Sequence, residues 1–146
     1  MSKVKLNIYY RRKVVIFMEN IQKYYVNTEN ALPHKNIQEF ITQQPNAGKA
    51  IDLGCGAGRD TIFLIKNNWN VLAIDKENTE NIISEKLEQE ELLRFKFLQQ
   101  EFENIKLDET DLVLANFSIP FCNKDYFDKF WKHITDSISK GRTFCW

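Results

Sequence analysis

Glycine, proline and cysteine are all scarce in this chain: its 146 residues include five glycines, three prolines and three cysteines. Cys55, Cys122 and Cys145 have neither the regularity of a disulfide framework nor the paired spacing of a metal site, so neither device is expected to organise the fold. Net charge is missing as well. Twenty basic side chains balance twenty acidic ones, which removes any whole-chain field for nucleic acid or an anionic membrane. No apolar run approaches transmembrane length and no signal peptide with a small-residue cleavage site is evident, so a cytoplasmic location is expected. What is present, 43% hydrophobic and 27% charged residues, suits one compact core.

The few glycines are not scattered. Residues 50 to 58 read Ala-Ile-Asp-Leu-Gly-Cys-Gly-Ala-Gly, placing Gly54, Gly56 and Gly58 at alternate positions. The mostly apolar run from Lys49 to Leu53 predicts a short buried strand, and Arg59, Asp60 and Thr61 open an apolar helix through Ile62, Phe63, Leu64 and Ile65. A strand, a glycine turn and a helix form a nucleotide cradle, because glycine lets a ligand approach the backbone and the helix start offers free N–H groups. The spacing is not the Gly-x-Gly-x-x-Gly of a dinucleotide site. Asp52, two residues before the first glycine, decides between ligands: a carboxylate repels a pyrophosphate and attracts a cation.

A second marker lies downstream. Asn70 to Asp75 is an apolar strand ending in a carboxylate, and an acid there can accept both hydroxyls of a ribose. The alternative for Asp75 is a helix cap or a solvated turn carboxylate. Phe95 to Gln100 predicts a third strand, closed by Glu101 and Phe102, which by themselves read equally well as a polar loop with one buried ring.

With Asp52, Gly54, Gly56 and Gly58, the chain resembles motif I of class I S-adenosylmethionine-dependent methyltransferases, Asp/Glu-x-Gly-x-Gly-x-Gly. The resemblance implies S-adenosylmethionine as cofactor, held by Asp52, Gly54, Cys55, Gly56, Gly58, Asp75, Glu101, Phe102 and Asn116. Within it, Glu101 meets the adenine amino group, with Glu where Asp is commoner, and Phe102 packs on the ring. Ile21-Gln22-Lys23-Tyr24-Tyr25, Leu32-Pro33, Gly58-Arg59-Asp60 and Ser118-Ile119-Pro120-Phe121-Cys122 look like the small bacterial methyltransferases of the tellurite-resistance type, over roughly residues 17 to 141. This implies methyl transfer to a small-molecule acceptor, without nucleic acid or membrane, and leaves the acceptor and the catalytic residues open. An NAD-dependent oxidoreductase is disfavoured by Asp52 and by the missing dinucleotide spacing.

The chain alternates in the manner of a doubly wound α/β domain. Helices are expected near Ile16 to Tyr25, over Lys35 to Gln43, as one long charged helix from Thr79 to Leu93, and from an Asn123 N-cap to about Ser139. On the last of these, Phe127, Phe130, Trp131, Ile134 and Ile138 form a stripe expected to be core. His34 is read as a surface loop residue, Tyr24 and Tyr25 as part of a lid, and His133 receives no role.

Residues 1 to 17, with five basic and no acidic side chains in the first fifteen, read as an extension before an incomplete methyltransferase domain over 18 to 146, expected to be truncated after about four strands. Class I methyltransferases carry the strand order 3-2-1-4-5-7-6, and here a mostly parallel Rossmann-like sheet of order 3-2-1-4, with the start of a fifth strand, is expected. Thr110 to Asn116 is its fourth strand, apolar on both faces and left as an exposed edge, which predicts self-association through it. The alternative to an enzyme is a truncated, catalytically silent cofactor-binding module that needs a partner to complete its sheet.

Overall fold

The computed structural model describes residues 23, 25, 27, 28, 30–44, 46–116, 118 and 122–145. The basic extension, the 17/18 boundary, Tyr24, Ile119, Pro120, Phe121, Trp146 and most of the expected first helix lie outside these residues. The chain forms two compact units, Met1–Ala31 and Leu32–Trp146. In the first, Thr28 Oγ1 donates to the Tyr25 carbonyl over 3.4 Å and the Ala31 amide donates to that of Thr28 over 3.0 Å.

The second unit carries the sheet. Its order of elements is α1 (Lys35–Gln43), β1 (Lys49–Leu53), α2 (Arg59–Lys66), β2 (Asn70–Asp75), α3 (Glu80–Ser84), α4 (Gln89–Leu92), β3 (Phe95–Gln99), β4 (Thr110–Leu114), α5 (Phe127–Ser137) and β5 (Ile138–Cys145). The strands lie in the order β3-β2-β1-β4-β5 with every pairing parallel. Interior parallel strands are covered on both faces, and the alternation of side chains divides them between two cores. Ala50, Val71, Ala73, Leu112 and Leu114 join Ile37, Leu64, Ile65, Trp69 and Ile83 on one face. Ile51, Leu53, Ile74, Val113 and Ala115 join Ile105, Phe130 and Ile134 on the other.

Asn67 and Asn68 end α2. Asn68 takes the left-handed conformation at φ 67°, its amide reaches the Ile65 carbonyl at 2.9 Å, and the Trp69 amide reaches that of Leu64 at 3.1 Å. This paired closure satisfies carbonyls that the helix end would otherwise leave bare, and drops the buried Trp69 back onto the core.

Three expectations are corrected. The helix foreseen over Thr79 to Leu93 is two short ones, α3 and α4. Glu88 and Glu91 form a reciprocal capping box that starts a new helix, while Lys86 and Leu87 close the earlier one through bonds to carbonyls three residues back. The break still buries Ile83 and Leu87.

The stripe on α5 is divided. Phe130 and Ile134 are buried, whereas Phe127 and Trp131 are exposed and stack on each other with centroids 6.2 Å apart. Asn123 does cap, but on a 3-10 turn, Lys124–Tyr126, that leads into the helix. His133 ties α5 to the loop between β3 and β4 through Nδ1 and the Ile105 carbonyl, 2.8 Å apart.

Finally, β4 is not an edge. The helix stops at Ser137, two residues earlier than expected, which frees eight residues for β5 to pair along β4. Thr110 faces Ile138 and Leu112 faces Thr143, so two steps along β4 match five along β5 before regular pairing resumes through Cys145. Self-association through an open fourth strand therefore loses its basis, and the edges of this sheet are β3 and β5.

Candidate functional site

The glycine turn joins the end of β1 to the start of α2, at the carboxyl edge of the sheet. All three of its glycines have positive φ: 71° at Gly54, 54° at Gly56 and 82° at Gly58. A side chain at Gly54 would collide with Ser118 Cβ, and one at Gly58 would lie 2.5 Å from Ile83 Cγ1. Conformation and space both require glycine at these two positions.

Asp75 holds this turn from the side. The Gly54 and Cys55 amides donate to the Ile74 carbonyl at 2.8 and 3.2 Å, and the Gly56 amide donates to Asp75 Oδ2 at 2.9 Å. Asp75 Oδ1 accepts from the Glu77 amide at 3.0 Å, and the residue is only 7% exposed. It is thus a buried anchor of the loop rather than a solvated turn carboxylate. Each of its oxygens keeps a second lone pair for a ligand.

Asp52 lies beneath the turn and accepts a 2.6 Å hydrogen bond from Thr61 Oγ1. Burial, helped by the nearby Asp60 and Asp75 carboxylates, raises its pKa from 3.8 to about 7 against the pull of the Thr61 bond. Cys55 is buried with Sγ 3.9 Å from Thr79 Oγ1, and burial beside Asp52 and Asp75 drives its thiol well above the ordinary range. A small, reduced and inert cysteine fits that setting.

Glu101 is exposed and precedes a 3-10 turn, Phe102–Asn104. Phe102 is half-buried, stacks on Phe130 at 5.0 Å, and brings its Cζ within 3.5 Å of the position a Gly54 Cβ would take. Its ring therefore packs in the core beneath β1 while its tip reaches the loop.

Asn116 belongs to a second group, on the β4 side. Its Nδ2 donates to Asp60 Oδ2 at 2.9 Å, and its Oδ1 accepts from Asn36 Nδ2 at 2.7 Å. Asp60, buried in the first turn of α2, also accepts from the His34 amide at 2.8 Å and contacts His34 Nδ1 at 2.5 Å. Arg59 bonds the other ring nitrogen, Nε2. His34 is not the surface loop residue expected: its side chain is 18% exposed and held from both ends. Sequence reading missed this cluster because Asp60 looks like an ordinary helix-opening residue and its partners lie 26 and 56 positions away. The remaining member of this edge, Ser118, is buried, and its Oγ has no hydrogen-bond partner.

Among the described residues, no group of three His, Cys, Asp or Glu side chains could hold a metal ion, and no helix is long and apolar enough to cross a membrane.

Solved structures share this fold. The chain superposes on a 1,6-didemethyltoxoflavin-N1-methyltransferase of Burkholderia thailandensis, solved with S-adenosylhomocysteine, with a TM-score of 0.72 and 17% identity, over 99% of this chain and 63% of that one. The glycopeptide N-methyltransferase MtfA, complexed with S-adenosyl-L-methionine, gives 0.63 and 17% identity over 79% of this chain and 54% of that one. TehB of Haemophilus influenzae gives 0.61 and 20% identity over 76% and 39%. The chain thus spans between 39% and 63% of the length of these three structures. No curated protein matches it. The fold is that of the class I methyltransferases, whose Rossmann-like sheet the strand order reproduces. The family model described as tellurite resistance protein TehB matches residues 16–142, and the chain belongs to that family.

Proposed function

We propose that this chain binds S-adenosylmethionine at the glycine turn and supports transfer of its methyl group to a small-molecule acceptor in the cytoplasm. The observation that carries this reading is the turn itself: three glycines of positive φ, docked on β2 by Asp75. The residues present fit the cofactor. Three carboxylates, Asp52, Asp60 and Asp75, gather around the turn; burial first, and then repulsion from the other two, raises the pKa of Asp52, and a cationic ligand would relieve that repulsion. Gly54 and Gly56 let the ligand lie against the backbone, and the unpartnered Ser118 hydroxyl lies beside Gly54. Family membership and the ligands of the related structures point the same way.

In this reading Asp75 accepts the ribose hydroxyls on the lone pairs left by Gly56 and Glu77. Asp52, through the turn, favours the positively charged end. Gly54, Cys55, Gly56 and Gly58 supply backbone, while Glu101 and Phe102 border the base. Asn116 contributes by fixing Asp60 at the other side of the site, at the end of β4. The bound cofactor supplies an electrophilic methyl group on sulfonium. The protein's task is to hold donor and acceptor in line and exclude water, which can account for much of the rate by itself.

Isothermal titration tests the reading: S-adenosylhomocysteine should bind the wild type, and Asp75→Ala should weaken binding by about 1.5–3 kcal/mol, as for a hydrogen bond to a charged group. Absence of binding by the folded wild type would sink it. A preference for NAD would replace it with an oxidoreductase. The second reading is a cofactor-binding module without turnover. Binding without methyl transfer would select it.

A further inference from the structure

Beyond the charge of Asp60, the cluster on the β4 side has no part in holding the cofactor as just described, yet it has the parts of a proton-transfer site. Asp60 receives both the amide and Nδ1 of His34, and Asn116 Nδ2 braces the same carboxylate oxygen that Nδ1 contacts. Arg59 can only donate and Asp60 can accept, so these partners favour the tautomer with its proton on Nδ1, facing Asp60, and with Nε2 as acceptor. A buried carboxylate that fixes one nitrogen of an imidazole leaves the other oriented and basic.

The position is equally specific. Asp60 follows the β1 turn and Asn116 follows β4, and their side chains meet at 2.9 Å across the gap between these strands. In the order β3-β2-β1-β4-β5 that gap is the topological switch point, the crevice at the carboxyl ends where ligands lie in open α/β sheets. The imidazole is held at this crevice. The Arg59 N–H stands where a substrate N–H or O–H would have to stand, and Arg59 is half-exposed and able to move aside.

We infer that His34, held by Asp60 and Asn116, is the proton acceptor of this site, so that its methyl acceptors are neutral N–H or O–H compounds. The inference rests on the methyl-transfer reading above. In the step, the acceptor nitrogen or oxygen forms a bond to the methyl carbon, and the carbon–sulfur pair returns to sulfur, leaving a thioether. The acceptor's proton passes to Nε2, giving an imidazolium whose Nδ1–H faces Asp60. An acceptor that arrives already anionic needs none of this. Among the described residues, the charged groups bonded to the ring are Asp60 and Arg59, both from α2, while Asn36 from α1 and Asn116 from beyond β4 join the cluster uncharged.

Two measurements on the full 146-residue chain test it. Nitrogen-15 NMR of the imidazoles at pH 8 should show His34 with its proton on Nδ1 and a bare Nε2; a proton on Nε2 would overturn the inference without reference to any activity. Methyl transfer should then be followed with three probes: a primary amine, phenol, and hydrosulfide as an anionic acceptor. His34→Gln should slow the amine and phenol by about 100-fold or more, within the range of general-base catalysis. It should slow hydrosulfide at least tenfold less, while the affinity for S-adenosylhomocysteine stays within about threefold. Equal losses on all three probes, or no wild-type turnover of amine or phenol despite cofactor binding, would overturn it. Failure to bind S-adenosylhomocysteine would instead overturn the cofactor reading, leaving the NMR result to judge the tautomer.

Discussion

The two flanks of β1 are built by different means. On the β2 side, a backbone loop of left-handed glycines is pinned by Asp75 and by the Ile74 carbonyl, and the polar contacts join neighbouring elements of one βαβ unit. On the β4 side, the contacts run between side chains far apart in the sequence: Asn36 to Asn116, His34 to Asp60, Asn116 to Asp60. One flank is a shape that the chain assumes locally. The other exists only once the sheet has formed, so a local motif reveals the first and hides the second.

The sharpest way to break the comparison is to spoil the loop. Gly54→Val puts a β-branched residue at φ 71° and drives its Cβ into Ser118, the point where the two flanks touch. Backbone strain and overpacking together should cost about 3–5 kcal/mol in urea denaturation. A loss below about 1 kcal/mol would mean the turn relaxes freely and is no rigid cradle.

Asp52 sharpens the comparison through pH. Its folded pKa of about 7 lies above the ordinary 3.8, so the protonated form favours the folded state. Its contribution is complete below pH 4 and is lost as pH rises through about 7, an effect on the order of 4 kcal/mol at ~1.4 kcal/mol per pH unit. Thermal melts of the free protein should fall between pH 5 and 8, and Asp52→Asn should flatten that slope. A wild-type melting temperature independent of pH in this range would contradict the buried carboxyl.

The smallest expected effect concerns the other flank. Asn116→Ala removes bonds to Asp60 and Asn36 and should cost about 1–2 kcal/mol in stability. If the two flanks are separable, its affinity for S-adenosylhomocysteine should change by less than the Asp75→Ala loss. An equal or greater loss would place Asn116 at the cofactor itself.

How much of this was legible in the sequence follows the same division. The first four strands, the glycine turn and the Asn67-Asn68 helix end each have a local cause, in apolar runs and in residues that accept positive φ. Glu88 misleads, because a glutamate in a charged run looks like one more helical residue until its capping box with Glu91 is seen. β5 is hidden for another reason: Ile138 continues the helical stripe of α5, and only pairing with β4 reveals that the chain has changed period there. For His34 no local signal exists, since what holds its ring is Asp60 in another element.

Cys55 carries a practical consequence. Its sulfur lies inside the glycine turn, closed off beside Thr79, with a proton that burial and two carboxylates make hard to remove. An alkylating reagent can reach it as thiolate only in molecules whose turn has opened. The labelling rate at Cys55, read by peptide mass mapping, therefore counts loop openings directly, and a ligand that clamps the turn should slow it in proportion to its occupancy. The protein carries its own gauge of how often the cradle breathes.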